Sequence, residues 1–292
     1  MKSLCSITFA TRCVLLAGTL AVASPAAHAQ PAPSTKPAPG KPAATEYKPE
    51  VGQEGKDVVW VPTSQALVNK MLDMAKLTAA DIHYDLGSGD GRTVITAAKR
   101  GARAYGIEYN PAMVELSMRA AAKEGVAERA TFAKADLFET DLSRATVVTL
   151  FLLPDINLKL RPKILDLKPG TRIVSNTFTM GEWEADETGT ASSDEGSSYY
   201  RTALLWIVPA KVDGVWKSAQ GDITFKQEFQ KFGGSINVGG ALTWMTAGKL
   251  RGDRITFSAG GTQYSGTVAG DTITGTAVSG GTSREWLATR SK

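Results

Sequence analysis

The chain of 292 residues is long enough for one large domain or two smaller ones, and its composition is that of an ordinary folded protein. Hydrophobic residues make up 42% and charged residues 21% of the sequence, and the formal net charge is +4. A charge balance this close to neutral gives no electrostatic argument for binding nucleic acid, so we expect no nucleic-acid partner.

The first 29 residues have the organisation of a secretory signal peptide. Lys2 and Arg12 provide a basic start, residues 14–23 form an apolar run, and residues 27–29 form an Ala-His-Ala cleavage motif. The apolar run is shorter than an ordinary membrane-spanning helix requires. We therefore expect residues 1–29 to be removed on export, with the mature chain in the bacterial periplasm.

After the expected cleavage, the mature chain lacks residues that several kinds of catalytic site require. Cys5 and Cys13 are the two cysteines of the sequence, and both lie in the signal peptide. Disulfides, thiol catalysis and thiolate–metal sites are then excluded, and we predict no metal site. His83 is the histidine that remains, and its place at the start of an apolar strand favours a structural role in the core. The sequence thus disfavours a serine, cysteine or zinc hydrolase.

The rest of the chain divides into three segments. Residues 30–50 are rich in proline and alanine without apolar periodicity, and they are predicted to form an extended, disordered linker that residues 49–55 complete. Residues 51–210 are predicted to form an α/β domain, and residues 211–292 an all-β domain.

Strands and helices alternate through the α/β domain. Thr63 or Ser64 begins a helix, Asn110-Pro111 begins another that ends at Gly125, and residues 181–198 are predicted to form a loop. The predicted strands are 82–86, 104–108, 130–133, 146–153 and 171–178, with further helices after residue 91 and over 156–167, and with 200–208 as a late edge strand. This alternation predicts a Rossmann-like parallel sheet with helices on both faces.

After Pro209 the pattern changes to period-two alternation between glycine and aspartate turns. The predicted strands are 223–229, 235–238, 255–258, 263–268 and 273–277. They predict a small antiparallel β-meander, arranged as a half-barrel or a sandwich. The domain is also a candidate for contact with the cell envelope, although its aromatic residues favour a core over a binding face; they are Trp216, Trp244, Trp286, Phe225, Phe229 and Phe232.

The first strand ends in a glycine-rich turn that carries the clearest functional signal. The sequence from Asp85 to Gly91 is Asp-Leu-Gly-Ser-Gly-Asp-Gly, with an acidic residue two positions before the first glycine. Such an acid would repel the pyrophosphate of a dinucleotide. S-adenosylmethionine has no phosphate and carries an ammonium group, so an acid here favours that cofactor. Asp85 is the candidate for its ammonium group, whereas Asp90 is explained equally well as a helix cap.

Two further carboxylates follow the next two strands. Glu108 ends the second strand, where it can accept hydrogen bonds from ribose hydroxyls, and Asp136 follows the third, where it can accept from an adenine amino group. The carboxyl ends of neighbouring parallel strands form the binding crevice of such sheets. Together with Asp85, these residues predict an S-adenosylmethionine site.

Several separate blocks then resemble one family. The chain is similar to the class I, seven-β-strand lysine methyltransferases related to the mitochondrial enzymes that modify the ATP synthase c subunit, and to their bacterial relatives. The signal peptide and the β domain are departures from the mitochondrial pattern. The resemblance covers about residues 58–208 and is carried by residues 60–63, 84–92, 136–138, 149–154, 160–163 and 180–183.

The resemblance implies two sets of site residues. Cofactor contacts are expected from Trp60, Pro62, Thr63, Asp85, Gly87, Ser88, Gly89, Gly91, Glu108, Asp136 and Leu137. The segment after the fourth strand is expected to border the methyl acceptor, with the candidates Phe151, Leu153, Pro154, Asp155 and Asn157, and Trp183 is a further candidate for the wall of an acceptor channel.

Three hypotheses about function remain open at this stage. The first is a protein-lysine N-methyltransferase, the second a small-molecule or lipid methyltransferase, and the third an exported binding protein that keeps the scaffold without catalysis. No catalytic base is assigned: Asp155 and Asn157 are the polar candidates, but capping of the helix from Ile156 is the favoured explanation of both. The oligomeric state is not predicted.

Overall fold

An α/β domain and a β-barrel follow each other along the described chain. The computed structural model describes residues 47–192 and 199–291, so the expected signal peptide and nearly all of the linker lie outside the described residues. The elements of the α/β domain are α1 (Gln65–Met74), β1 (Ile82–Leu86), α2 (Arg92–Lys99), β2 (Arg103–Glu108), α3 (Pro111–Lys123), β3 (Ala130–Lys134), β4 (Val147–Leu150), α4 (Pro154–Leu165), β5 (Arg172–Asn176), β6 (Glu187–Thr190) and β7 (Thr202–Ile207).

Local sequence accounts for where the first helices begin. The Ser64 hydroxyl accepts a hydrogen bond from the backbone N–H of Leu67 at 3.3 Å, so Ser64 caps α1. Asn110 caps α3 by accepting from the N–H of Ala112 at 2.9 Å, with Pro111 at the first helical position. Among residues 47–192 and 199–291, no helix is both long and apolar enough to cross a bilayer.

The sheet has the strand order β3-β2-β1-β4-β5-β7-β6. Its first five strands are parallel, and alternate side chains of each strand face opposite layers of helices. Val147 packs with residues of α1, whereas Val148 packs with Leu160 of α4. The predicted Rossmann-like sheet with helices on both faces is therefore confirmed.

Four features in the second half of this domain differ from the prediction: one added strand, the position of another in the sheet, the start of a helix and the length of a strand. Residues 187–190, expected within a loop, form the edge strand β6, and the predicted edge strand β7 lies between β5 and β6, antiparallel to both. Helix α4 begins at Pro154 rather than Ile156, because a proline at the first position needs no hydrogen-bonded N–H. Strand β4 is limited to four buried residues.

The second domain is a closed antiparallel barrel, not the predicted half-barrel or sandwich. Its eight strands pair in sequence order, and the last pairs with the first. Three strands, at residues 214–218, 241–251 and 282–290, were missed because glycine or charged residues interrupt their alternation. The barrel strands are β8 (Gly214–Ser218), β9 (Gly221–Glu228), β10 (Lys231–Val238), β11 (Ala241–Arg251), β12 (Arg254–Ala259), β13 (Thr262–Ala269), β14 (Thr272–Ser279) and β15 (Thr282–Arg290).

Most of the barrel's aromatic residues fill its interior, as expected. Trp216, Phe225, Phe232 and Trp286 belong to one buried cluster. Trp244 is the exception inside the barrel strands, with 69% of its surface exposed. The predicted boundary at residues 210 and 211 falls in the segment that joins β7 to β8.

Aromatic packing joins the barrel to the α/β domain. Trp183 is fully buried, and its ring lies 6.0 Å from that of Phe229, at the turn between β9 and β10, and 6.2 Å from that of Trp206 in β7. The indole N–H of Trp206 donates to the Trp183 carbonyl at 2.7 Å. Trp183 is thus a core residue of this junction and not the wall of an acceptor channel.

Candidate functional site

A cleft opens at the carboxyl ends of β1, β2 and β4, as expected for a sheet of this order. Its lining includes the glycine-rich turn after β1, the residues that follow β2, β3 and β4, and the segment that precedes α1. Gly91 is the one predicted cofactor-site residue absent from the lining. The others all line the cleft: Trp60, Pro62, Thr63, Asp85, Gly87, Ser88, Gly89, Glu108, Asp136 and Leu137.

Two glycines of the turn have different roles. Gly89 has φ +53°, and a Cβ atom there would lie 2.4 Å from the indole Nε1 of Trp60, so this glycine lets the ring close over the turn. Gly91 has φ +80°, but an added Cβ would meet Ser117 and Phe132 behind the turn. Gly91 is therefore required for packing, and its predicted contact with the cofactor is not supported by its position.

Asp85 is the most unusual ionisable group of the cleft. Its side chain is buried and accepts a hydrogen bond from the Thr149 hydroxyl at 2.6 Å. Burial, together with the nearby charges of Asp90 and Glu108, raises the pKa of Asp85 to about 7. A cationic partner would stabilise the ionised form of this buried carboxylate, and the ammonium group of S-adenosylmethionine would supply that charge.

His83 supports Asp85 from the interior of the sheet. The side chain is fully buried, and Nε2 lies 2.8 Å from the Thr149 hydroxyl oxygen. Because that hydroxyl donates to Asp85, it accepts from the Nε2–H of a neutral histidine; burial lowers the pKa of His83 to about 3. The predicted core role of His83 is confirmed, and it holds the Thr149 hydroxyl in position for Asp85.

Glu108 and Asp136 stand at the tips of the next two strands. Glu108 accepts from the backbone N–H groups of Gly89 and Asn110, each at 2.9 Å, which fixes its carboxylate at the end of β2. Asp136 accepts from the N–H of Phe138 at 2.9 Å. The positions fit hydroxyl and amino donors of a nucleoside, since a carboxylate oxygen that accepts one bond can accept a second.

One element that covers the cleft was identified only in part from the sequence, which named Trp60, Pro62 and Thr63 but none of the residues before them. Residues 53–63, here named the strap, line the cleft from above. The strap turns back on itself through the bond from the Trp60 N–H to the Gln53 carbonyl at 2.9 Å, and a second bond runs from the Gly55 N–H to the Val58 carbonyl at 3.0 Å. Residues 49–55 therefore do not complete an extended linker, and the polar composition of this segment gave no sign of its hydrogen-bonded turns.

Two side-chain contacts fasten the strap to the rest of the α/β domain. Lys56 forms an ion pair with Asp136 at 2.7 Å, and this contact holds the pKa of Asp136 below its usual range. Arg92 donates to the Thr63 carbonyl at 3.0 Å and is itself paired with Asp90. Asp90, which the sequence explains equally well as a cap or a ligand contact, thus orients the arginine that holds the strap.

The predicted acceptor side is only partly brought to the cleft. Phe151 lines it, together with Leu152 and Ile156, which follow the same strand. Leu153 is the half-exposed residue that precedes α4, and neither Pro154 nor Asp155 lines the cleft; no side-chain hydrogen bond caps this helix. All three residues are exposed at the start of α4, which begins two residues earlier than predicted.

Asn157, the last acceptor-side candidate, is fully buried beneath the segment that follows β5. Its Nδ2 lies 3.2 Å from the Thr179 carbonyl and 3.4 Å from that of Phe178. Asn157 therefore ties α4 to this segment and does not cap the helix. In the part of the chain that the structure describes, no group of three or more His, Cys, Asp or Glu side chains is arranged to hold a metal ion.

The chain is similar to known methyltransferases. The model of the ANTKMT methyltransferase domain matches residues 85–187. A protein-lysine N-methyltransferase of Saccharolobus islandicus is 46% identical over 154 residues, which cover 52% of this chain and 94% of that protein. The human lysine N-methyltransferase for the ATP synthase c subunit is 34% identical over 128 residues, or 44% of this chain and 54% of that protein, so the chain spans about half of that relative's length.

A solved structure has a similar sequence. The RNA methyltransferase of Salinibacter ruber in complex with S-adenosyl-L-homocysteine is 44% identical, with a TM-score of 0.48, and the match covers 52% of this chain and 96% of that one. None of these matches extends over the whole chain. Because the relative from Saccharolobus islandicus is matched over nearly its whole length, the chain belongs to the S-adenosylmethionine-dependent methyltransferase family that contains this protein-lysine N-methyltransferase.

Proposed function

We propose that this enzyme methylates the side-chain amine of lysine in a protein. The observation that carries the proposal is the cleft itself, in which buried Asp85 lies below the glycine-rich turn while Glu108 and Asp136 stand at the next strand tips. The names of its relatives from Saccharolobus islandicus and human, both lysine N-methyltransferases, support lysine as the acceptor.

The residues of the cleft would then bind different parts of the cofactor and exclude water. S-adenosylmethionine, when bound, supplies an activated methyl group. Asp85 would hold its ammonium group, Glu108 its ribose hydroxyls and Asp136 its adenine amino group, while the strap excludes water from above. Exclusion of water also favours the neutral form of a lysine amine, which is the form that accepts a methyl group.

Radiolabelled methyl transfer tests this function. The chain from Gln30 onward is incubated with methyl-labelled S-adenosylmethionine and an envelope fraction. We expect label in protein, released as methyllysine on acid hydrolysis, and lost when the acceptor lysines are first blocked by propionylation. Label in solvent-extractable material instead would establish the small-molecule or lipid methyltransferase, and cofactor binding without any transfer would establish the non-catalytic hypothesis.

We also propose that the protein is exported and acts in the periplasm. The basic start, the short apolar run and the Ala-His-Ala motif support this location. Cell fractionation with sequencing of the mature N-terminus tests it. A chain in the periplasmic fraction that begins at Gln30 is the expected result, whereas a cytosolic chain that retains Met1 would contradict it.

Contact with a lipid surface is proposed for one end of the barrel. Three of the four hairpins at the end opposite the α/β domain turn through Gly-Gly pairs, and residues 237–244, 258–265 and 276–283 carry no charge. The fourth hairpin, between β8 and β9, holds its two charges in the ion pair of Lys217 with Asp222. On the first hairpin, Trp244 is 69% exposed and Val238 and Leu242 are more than half exposed. Exposed tryptophan and aliphatic residues without charges are suited to the interfacial region of a bilayer.

Sedimentation with phosphatidylcholine vesicles tests this contact. We expect the protein to sediment with the vesicles and the double substitution Leu242→Ser with Trp244→Ser to abolish that binding, because the insertion-competent surface is lost. Leu287→Ser is the matched control, since this leucine is equally exposed on the barrel wall at 53%. Failure of the wild-type chain to sediment, or equal binding by the double variant, would contradict the proposal.

A further inference from the structure

Three aromatic rings form a cluster beside the cleft. Phe151 follows β4, Phe178 follows β5, and Tyr200 precedes β7. The ring centroids of Phe151 and Tyr200 are 5.0 Å apart, those of Phe178 and Tyr200 5.8 Å, and those of Phe151 and Phe178 5.9 Å. Because β7 is antiparallel to β4 and β5, all three segments meet at the edge of the sheet that holds the cleft.

The cluster is not part of the protein's buried core. Each of the three rings is only partly buried, and none belongs to the buried hydrophobic clusters of the described residues. Phe151 also lines the cleft, so the cluster is continuous with the cofactor site. A ligand that covers this water-exposed aromatic surface would therefore be bound more tightly, because burial of apolar surface lowers the free energy of the complex.

The backbone at the cluster is strained. Thr177, directly before Phe178, has φ +62°, a left-handed conformation that is unfavourable for a β-branched residue. It is maintained by the bond from the Thr177 N–H to the Thr202 carbonyl at 2.7 Å. The neighbouring Asn176 donates to the Thr63 hydroxyl at 3.2 Å, which joins this segment to the strap. Strain held in place by such bonds is typical of binding sites.

A buried oxygen without a donor lies next to this segment. Asn157 uses its Nδ2 for the carbonyls of Phe178 and Thr179, and its Oδ1 has no hydrogen-bond partner among the described residues. An unsatisfied buried oxygen is unfavourable in a folded protein. The Nδ2 bonds nevertheless fasten α4 to the segment that carries Phe178 and so fix the position of that ring.

We propose that Phe151, Phe178 and Tyr200 form the subsite for the alkylamine end of the methyl acceptor, with preference for a methylated ammonium group held over the ring faces. Ring faces attract cations, and most strongly where water is excluded. The inference rests on the proposed function, because it assigns the lysine side chain a place beside the cofactor. It adds Phe178 and Tyr200 to the acceptor side, where sequence reasoning named only Phe151.

A pair of small probes measures the preference directly. One is Nα-acetyl-Nε-trimethyllysine amide, and the other is its neutral isostere, in which carbon replaces the quaternary nitrogen. Both are titrated calorimetrically into the protein saturated with S-adenosylhomocysteine. We expect the cationic probe to bind ~3- to 30-fold more tightly than the neutral one. Equal affinities would overturn the inference, although lysine methylation in the transfer assay would still support the proposed function.

Substitutions assign the preference to the cluster. Phe178→Leu keeps apolar volume but removes a ring face, so we expect it to abolish the preference for the cationic probe while the affinity for S-adenosylhomocysteine is unchanged. Phe178→Tyr should retain the preference. Tyr199→Leu is the matched control, because this neighbouring ring is 95% exposed and lies outside the cluster. If Phe178→Leu loses S-adenosylhomocysteine binding, Tyr200→Leu replaces it, because Tyr200 does not line the cofactor cleft. An undiminished preference in a variant that binds S-adenosylhomocysteine overturns the inference.

Discussion

Replacing Asp85 by Asn is expected to weaken the binding of S-adenosylmethionine by roughly 10- to 100-fold, the loss of one charge-assisted hydrogen bond in a buried site. The amide keeps the shape of the carboxylate and can still accept from Thr149, so the effect isolates the charge. Isothermal titration measures it. Glu115→Gln is the control, because this exposed α3 carboxylate pairs with Arg119 on its own helix and does not line the cleft. Equal affinity in Asp85→Asn would remove the assignment of Asp85.

The same residue predicts how cofactor binding depends on pH. The pKa of Asp85 is raised to about 7 by burial and by Asp90 and Glu108, so in the free enzyme the carboxyl group becomes protonated as the pH falls through 7. The protonated form cannot pair with an ammonium group, and affinity should therefore decrease steadily from about pH 8 to about pH 6. Asp85→Asn should remove this dependence, and a flat profile for the wild-type enzyme would contradict the prediction.

The stability of the cofactor-free protein should respond in the opposite direction. The pKa of Asp85 in the folded state lies above the value of about 3.9 for an unfolded aspartate, so the protonated carboxyl stabilises the fold at low pH. That contribution is complete below about pH 4 and is lost as the pH rises through about 7. Asp85→Asn should consequently raise the melting temperature of the free protein at about pH 8 while it impairs cofactor binding.

Truncation of Trp183 should have the largest effect on stability. The residue is fully buried between Trp206 of the sheet and Phe229 of the barrel, so Trp183→Ala leaves a cavity at the junction of the two domains. We expect a loss of about 3–5 kcal/mol in the free energy of unfolding. Urea unfolding followed by circular dichroism should change from one transition to two, because the domains lose the packing that couples them.

Trp244→Ala is the matched control for this substitution. Its indole is 69% exposed, and truncation there should change the free energy of unfolding by less than about 0.5 kcal/mol. An unfolding midpoint for Trp183→Ala equal to that of Trp244→Ala would show that the junction contributes little to the stability of the chain.

The cofactor side of the site was predictable because its signals are local. The acid–glycine turn from Asp85 needs glycine for close approach, and Glu108 and Asp136 follow strands that short-range patterns identify. Parallel strands place their carboxyl ends at one edge, so three local signals converge without knowledge of the tertiary structure. The first part of the strap, residues 53–59, was not predictable, since its cover of the cleft depends on Lys56 reaching Asp136, 80 residues away.

The acceptor side depends on contacts between distant segments. Phe178 and Tyr200 carry no sequence signal of their own, and their meeting with Phe151 follows from the antiparallel insertion of β7 between β5 and β6. Closure of the barrel also depends on a contact between distant segments, because the pairing of β15 with β8 joins the two ends of the domain.

The sequence by itself determined the fold class of the first domain, the position of its nucleoside-binding turn and the carboxylates that accompany it. Periodicity, turn chemistry and spacing act over a few residues, and these features need nothing more. Only the tertiary structure decided what covers the cleft, which aromatic rings stand beside it and that the barrel is closed. Each of these features depends on contacts between segments that are far apart in the chain. Such contacts stabilise the fold only when both segments have reached their final positions.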